Sequence, residues 1–169
     1  MNPFKSHFDG SHALDIIAFR VNEQEYCVET RLVREIRGWS PCTPVPHSPP
    51  SVIGVISLRG TVIPIIDLAD RLGMDRQEGH ERSAIVVVEA GESVVGLVVD
   101  RVSDILTLGR DRVQDMPSGP TAPHLRFAEG MITIDTGLMC LLNIERVVDV
   151  KNTLPERSEA RAAHTHAYH

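Results

Sequence analysis

The chain has 169 residues, 42% apolar but only 4% aromatic, with a formal net charge of −6. That length makes one ordinary domain or two very small ones, with enough chain to bury roughly 70% of its unfolded surface. The acidic balance offers no basic field to a phosphate backbone, which argues against general nucleic-acid binding, and three scattered cysteines (Cys27, Cys42, Cys140) argue against a disulfide framework or a CxxC site.

With so few aromatics the core must be aliphatic, and Val, Ile and Leu favour strands. Residues 1–13 are polar and are expected to be flexible; they contain no apolar signal-like region. No apolar run approaches ~18 residues, so direct membrane insertion is not expected and a cytoplasmic location is. Strand-like patterning runs from Leu14 to Val150. It predicts strands at Asp15–Val21, Glu25–Val28, Ser51–Leu58, Thr61–Ile66, Ser83–Glu89, Ser93–Val99, Arg126–Ile134 and Leu138–Leu142. Tight turns at Arg59-Gly60, Ala90-Gly91-Glu92 and Thr136-Gly137 separate several of them. Short helices are predicted at Arg31–Ile36, Leu68–Leu72 and Ile144–Val148, with Thr30, Asp67 and Asn143 as N-caps and Gly73 in the left-handed position after the second. "GWSPCTPVPHSPPS" (38–51) has five prolines and reads as an irregular connector. Residues 151–169, rich in Ala, His and charge, read as a flexible tail.

A repeat runs through this order. Shifting the chain by 76 residues sets "GVISLRGTVIPIIDL" (54–68) over "GMITIDTGLMCLLNI" (130–144), so that Gly54 meets Gly130, Ser57 meets Thr133 and Asp67 meets Asn143. A shift of 69 pairs Val33, Glu35 and Ile36 with Val102, Asp104 and Ile105. Glycines and caps falling in register are better evidence than matching apolar strands. The expectation is an all-β protein of two small β-barrels in tandem, because short strands without long helices remove their edges best by closing. The boundaries are expected at about 20–82 for the first unit and about 83–150, plus strand 14–19, for the second.

No constellation reads as an active site. The histidines within the domain sit in connectors or turns, and neither GxSxG, GxxxxGK[ST] nor GxGxxG is present. Asp67 and Asp70 are explained by a helix cap and a solvated face. His164, His166 and His169 lack a thiol or carboxylate framework for a metal. No catalytic residue, metal or cofactor is expected. Arg59 stands apart: it tips an apolar hairpin, its repeat counterpart is Asp135, and Glu35 with Arg37 is placed to brace it. Pro64 marks Thr61–Ile66 as an edge or bulged strand in need of a cover, for which a partner protein is the natural candidate.

"EYCVETRLVREIRGW", "VIGVISLRGTVIPIIDLADRLG" and "SVVGLVVDRVSDIL" together resemble the CheW family, the bacterial chemotaxis coupling proteins, over about residues 14–150. Two departures stand out: Cys27 replaces a usual glycine, and Ser57 a usual asparagine. The resemblance implies two five-stranded SH3-like β-subdomains and a non-catalytic adaptor. Its partners would be the regulatory domain of the histidine kinase CheA, the cytoplasmic hairpin tip of chemoreceptors in membrane-anchored arrays, and further CheW copies in rings. By position, Val33 and Gly54 match partner-binding residues, Arg59 the arginine of receptor-linked kinase control, and Glu35 its neighbouring acid. Val95 and Val99 match groove positions, with a core role as the alternative for each. A similar adaptor in a pili or other non-flagellar array is the competing pathway. A small β-barrel enzyme or ligand-binding protein would need a pocket of converging acid, base or metal groups.

Overall fold

The computed structural model describes residues 13–75, 81–116 and 123–149. The expectations for the tail at 151–169, and for all but the last residue of the 1–13 segment, lie outside them. Among the described residues eleven strands form: β1 (Ala13–Val21), β2 (Gln24–Glu29), β3 (Val33–Gly38), β4 (Val52–Leu58), β5 (Thr61–Asp67), β6 (Ala84–Ala90), β7 (Ser93–Val99), β8 (Arg101–Gly109), β9 (Val113–Gln114), β10 (Ala128–Ile134) and β11 (Gly137–Leu142). Two short helices, α1 (Leu68–Arg71) and α2 (Ile144–Val148), follow β5 and β11. The all-β class read from the sequence is the observed one.

The strands make two sheets, ordered β3-β6-β7-β5-β4 and β8-β1-β2-β11-β10-β9. Both close in the same way. Leaving β3, the connector returns so that Thr43 and Val55 exchange two backbone hydrogen bonds of 2.9 Å, joining the β3 end of the chain to β4. Leaving β8, the chain turns through Arg110–Arg112 and re-enters as β9, whose Gln114 and Val113 face Met131 and Ile132 of β10. Each sheet therefore wraps into a barrel with few free edges.

The repeat is visible in three dimensions. Under shifts of 69 and 76 residues, β3, β6, β7, β5 and β4 take the places of β8, β1, β2, β11 and β10. Even the register faults recur, at Val52/Gly54 in β4 and at Ala128/Gly130 in β10. A Cβ on Gly54 would lie 2.5 Å from the Thr43 carbonyl oxygen, and one on Gly130 would lie 2.5 Å from Val113 Cγ1. Both glycines are there because the closing segment crosses the bulge too tightly for a side chain.

The expected unit boundaries are corrected by this topology. The hairpin β1–β2 belongs to the sheet of β8–β11, and the hairpin β6–β7 belongs to the sheet of β3–β5. The first barrel is therefore 33–99 and the second is 13–29 with 101–142, so the halves exchange hairpins and a cut near 82 divides both. Strands β6 and β7 face two cores as a result. Val86, Val88, Val95, Leu97 and Val99 enter the central cluster between the barrels, while Ile85, Val87 and Val98 fill the first barrel. Burial on both faces explains runs such as "AIVVV" and "VVGLVV" with no polar alternation.

Three local expectations differ from what forms. Arg31–Ile36 is no helix: a 3-10 turn at Thr30–Leu32 leads into β3, whose exposure alternates residue by residue, the period of a strand. Thr30 does not cap; Glu29 holds that position without a side-chain bond. Strand β5 lies between β7 and β4, so it is no edge and needs no outside cover. Pro64 is tolerated because its opposite residue, Val55, gives its own N–H and carbonyl to Thr43, and pairing with β7 starts only at Ile65. No ladder bond falls on the proline nitrogen. The other two caps form as read, Asp67 accepting from the Asp70 N–H at 3.3 Å and Asn143 from Arg146 at 3.0 Å.

Candidate partner-binding surface

The β4–β5 hairpin turns on two residues that both have positive φ, Arg59 at 51° and Gly60 at 83°. Such a turn matches the twist of the flanking strands, but an arginine in it occupies a left-handed conformation that side chains disfavour. Asp135, the counterpart tip residue, is not among the residues of positive φ. The turn aims Arg59 across the open end of the first barrel toward β3. There its guanidinium donates to Glu35 Oε1 at 2.6 Å, while Glu35 Oε2 lies 3.7 Å from Arg37.

The burial of the two partners is unequal: the Glu35 side chain is 21% exposed and that of Arg59 is 74% exposed. An exposed ion pair of this kind is worth ~0–1 kcal/mol, so it orients the guanidinium more than it stabilises the fold. Beneath the pair lies a concavity of about 320 Å³ with Leu58, Ile63, Val87 and Val94 on its walls and Arg34 at its rim. The arrangement is a recess of mixed polar and apolar lining flanked by an aimed cation, suited to an apolar anchor and a hydrogen-bond acceptor from one partner.

Among the other sequence-derived positions, Val33 opens β3 opposite Val88 and is partly buried against the central core, whereas a bulge puts Glu35 opposite Val87, on the face of the first barrel. Gly54 is buried under the connector and exposes nothing. Val95 and Val99 are 5% and 1% exposed inside the central cluster. They are core residues, and the groove role considered for them is withdrawn, since neither presents a surface. Cys27 is fully buried in the second barrel, and desolvation raises its thiol pKa. At the matching Gly96, a Cβ would meet Ile65 Cδ1 and Ile85 Cγ2 inside 3 Å, so each barrel fills this spot from a different residue. Among the described residues, no group of three or more His, Cys, Asp or Glu is placed to hold a metal ion.

A second concavity, of about 270 Å³, is bounded by both barrels. Arg31 and Leu32 line it from the crossover, Ala90 and Gly91 from the first barrel, and Glu29, Glu129 and 142–145 from the second barrel and the helix that follows it. Glu29 binds Arg31 at 2.9 Å and lies 3.8 Å from Arg110. Burial, then the Glu29 charge, pushes the Glu129 carboxyl above the usual carboxylate range, against the pull of Arg146, Arg31 and Arg110. Sequence reasoning missed this place because its residues come from four separate segments.

The family model for the CheW-like domain matches residues 15–152, which spans both barrels. The chain belongs to the CheW-like domain family. Among curated CheW proteins, the probable chemotaxis protein CheW of Rhizobium etli is 48% identical over 131 residues, covering 78% of this chain and 84% of that protein. Chemotaxis protein CheW of Rhizobium meliloti is 47% identical over 133 residues, with 79% and 86% covered. Among solved structures, the scaffolding protein TtCheW of Thermoanaerobacter tengcongensis superposes with a TM-score of 0.74 at 26% identity, covering 80% of this chain and 92% of that one. CheW membership places the chain among scaffold and adaptor proteins of chemotaxis, a class without catalysis. No described helix is long and apolar enough to cross a membrane.

Proposed function

We propose that this chain couples chemoreceptors to a CheA-type histidine kinase, with the open end of the first barrel docking the kinase regulatory domain. In the same reading the concavity between the barrels receives the receptor's helical hairpin tip, and the protein works in the cytoplasm at membrane-anchored receptor arrays. The observation that carries the reading is Arg59. It is exposed, held in a disfavoured backbone conformation and steered by Glu35 over a recess at the end of the barrel, yet its ion pair adds little stability. A residue so placed is better explained by a partner than by the fold.

The test is Arg59→Ala in a reconstituted mixture of receptor fragments, kinase and adaptor. Thermal unfolding is expected to stay within ~2 °C of the parent, because an exposed pair is lost, while receptor-dependent kinase activation disappears. A large fall in melting temperature would make Arg59 a structural brace. Failure of the parent to bind either kinase or receptor fragment would overturn the coupling reading itself.

A further inference from the structure

Helix α1 contains a charged residue that the fold buries. Arg71 is 8% exposed, and its counterpart under the repeat is Val147. From the first barrel its guanidinium reaches the end of α2, beside the second barrel. Nε donates to the Val147 carbonyl at 2.8 Å, and Nη2 to those of Arg146 at 3.0 Å and Asp149 at 3.2 Å. The Phe127 ring centre lies 4.7 Å from Arg71 Cζ. The last carbonyls of a helix have no partners within it, so a forked donor satisfies several at once.

The other end of α2 is a wall. Asn143, Ile144 and Glu145 line the concavity between the barrels, opposite the Ala90–Gly91 turn. Five helical residues make a stiff rod of about 7.5 Å, so fixing the C-terminal end of α2 fixes where its N-terminal turn stands. Arg71 itself does not line the concavity.

We propose that Arg71 is a positioning residue for partner recognition, clamping α2 from the first barrel and so setting the width of the concavity between the barrels. This rests on the reading that the concavity receives the receptor tip. It predicts a selective effect: loss of the clamp alters receptor binding and leaves kinase binding, at the open end of the first barrel, unchanged.

The experiment uses the full chain with Arg71→Met, which keeps the apolar stem against Phe127 and removes every donor, and Arg71→Lys, which keeps the charge without the fork. Amide hydrogen exchange is read at Asn143 and Val147, whose N–H groups bond the Phe127 and Asn143 carbonyls at 2.7 and 3.1 Å, and at Leu58–Thr61 as a reference. Dissociation constants are measured for a soluble receptor hairpin fragment and for the kinase regulatory domain. Exchange at Asn143 and Val147 is expected to rise about tenfold in the Met variant with the reference unchanged. The receptor-fragment Kd should rise about tenfold, less for Lys, with the kinase Kd within twofold. Loss of both affinities, or faster exchange at the reference, would make Arg71 a brace of the whole fold and overturn the proposal. So would unchanged exchange in α2, or faster exchange there with receptor binding intact. If the Met variant does not fold, the Lys variant supplies the same comparison. If the parent binds no receptor fragment, the recognition role falls with the reading beneath it, and the exchange arm still decides whether the clamp exists.

Discussion

Gly54 separates a structural from a contact role at a position where CheW resemblance implies partner binding. In Gly54→Ala the new methyl would stand 2.5 Å from the Thr43 carbonyl oxygen, 2.8 Å from the Thr43 carbonyl carbon and 3.0 Å from Cys42 Cβ. Two of those atoms are backbone, so relief requires the connector to lift away from β4. Overpacking of this sort costs ~1–3 kcal/mol, and parting Thr43 from Val55 forfeits two backbone hydrogen bonds at ~0.5–1.5 kcal/mol each. The sum, about 2–6 kcal/mol, corresponds to a fall in Tm of roughly 5–20 °C for a domain of this size. Circular dichroism during heating reads it directly. Gly38→Ala is the control, because nothing lies within 4 Å of the added carbon. Gly130→Ala should fall less than Gly54→Ala, since its first clash is with a side-chain methyl and the nearest backbone atom is 3.1 Å away. A Gly54→Ala Tm within ~2 °C of the parent would refute the argument that the connector's close approach requires this glycine.

Val95→Ala should destabilise by about 2 kcal/mol, from two buried carbons and the space they leave, and should weaken kinase and receptor binding only in proportion to unfolding. Selective loss of one partner at unchanged Tm would return Val95 to a contact role. Stability should also decline in alkali. Burial pushes the Cys140 thiol from 9.0 up to about 11, and burial with the Cys140 charge pushes the Tyr26 hydroxyl from 10.0 up to about 12. Both groups prefer their neutral form when folded, so their contribution is whole below the unfolded pKa and is lost as pH climbs through the folded one. Urea midpoints should therefore fall across pH 9–11 and less steeply in Cys140→Ala; a flat parent profile to pH 11 would contradict this.

Most of the strands were legible because apolar runs bounded by glycine turns can form little else, and β7 was placed to the residue. Strand β3 was misread because "LVREI" has acceptable helical spacing over so short a window, and six residues cannot separate periods of 3.6 and 2. The nine-residue β8 was missed although the repeat had already set it over the same segment as β3. Pro64 misled for a physical reason: the rule against proline inside a sheet applies to nitrogens that face a neighbour, and sequence does not say which do. The exchange of hairpins was hidden because local pattern cannot tell which barrel a hairpin joins. At the candidate site, Glu35 and Arg59 were found through a break in the repeat, arginine against aspartate. Arg71 against Val147 was an equal break and offered the same signal.

The exchanged hairpins have a consequence for how the protein is made. Emerging from the ribosome, β1 and β2 find no permanent neighbours beyond each other, since β1 pairs Leu14 with Leu108 and β2 pairs Glu25 with Met139. The first barrel can assemble once residue 99 is out, but it must do so with an orphan hairpin trailing ahead of it. Contacts this distant in sequence carry a large closure entropy and favour slow folding. Until β8 is complete at residue 109, "DIIAFRV" is an apolar strand paired with β2 on one edge and unpaired on the other, so the chain's greatest risk of aggregation falls in that interval.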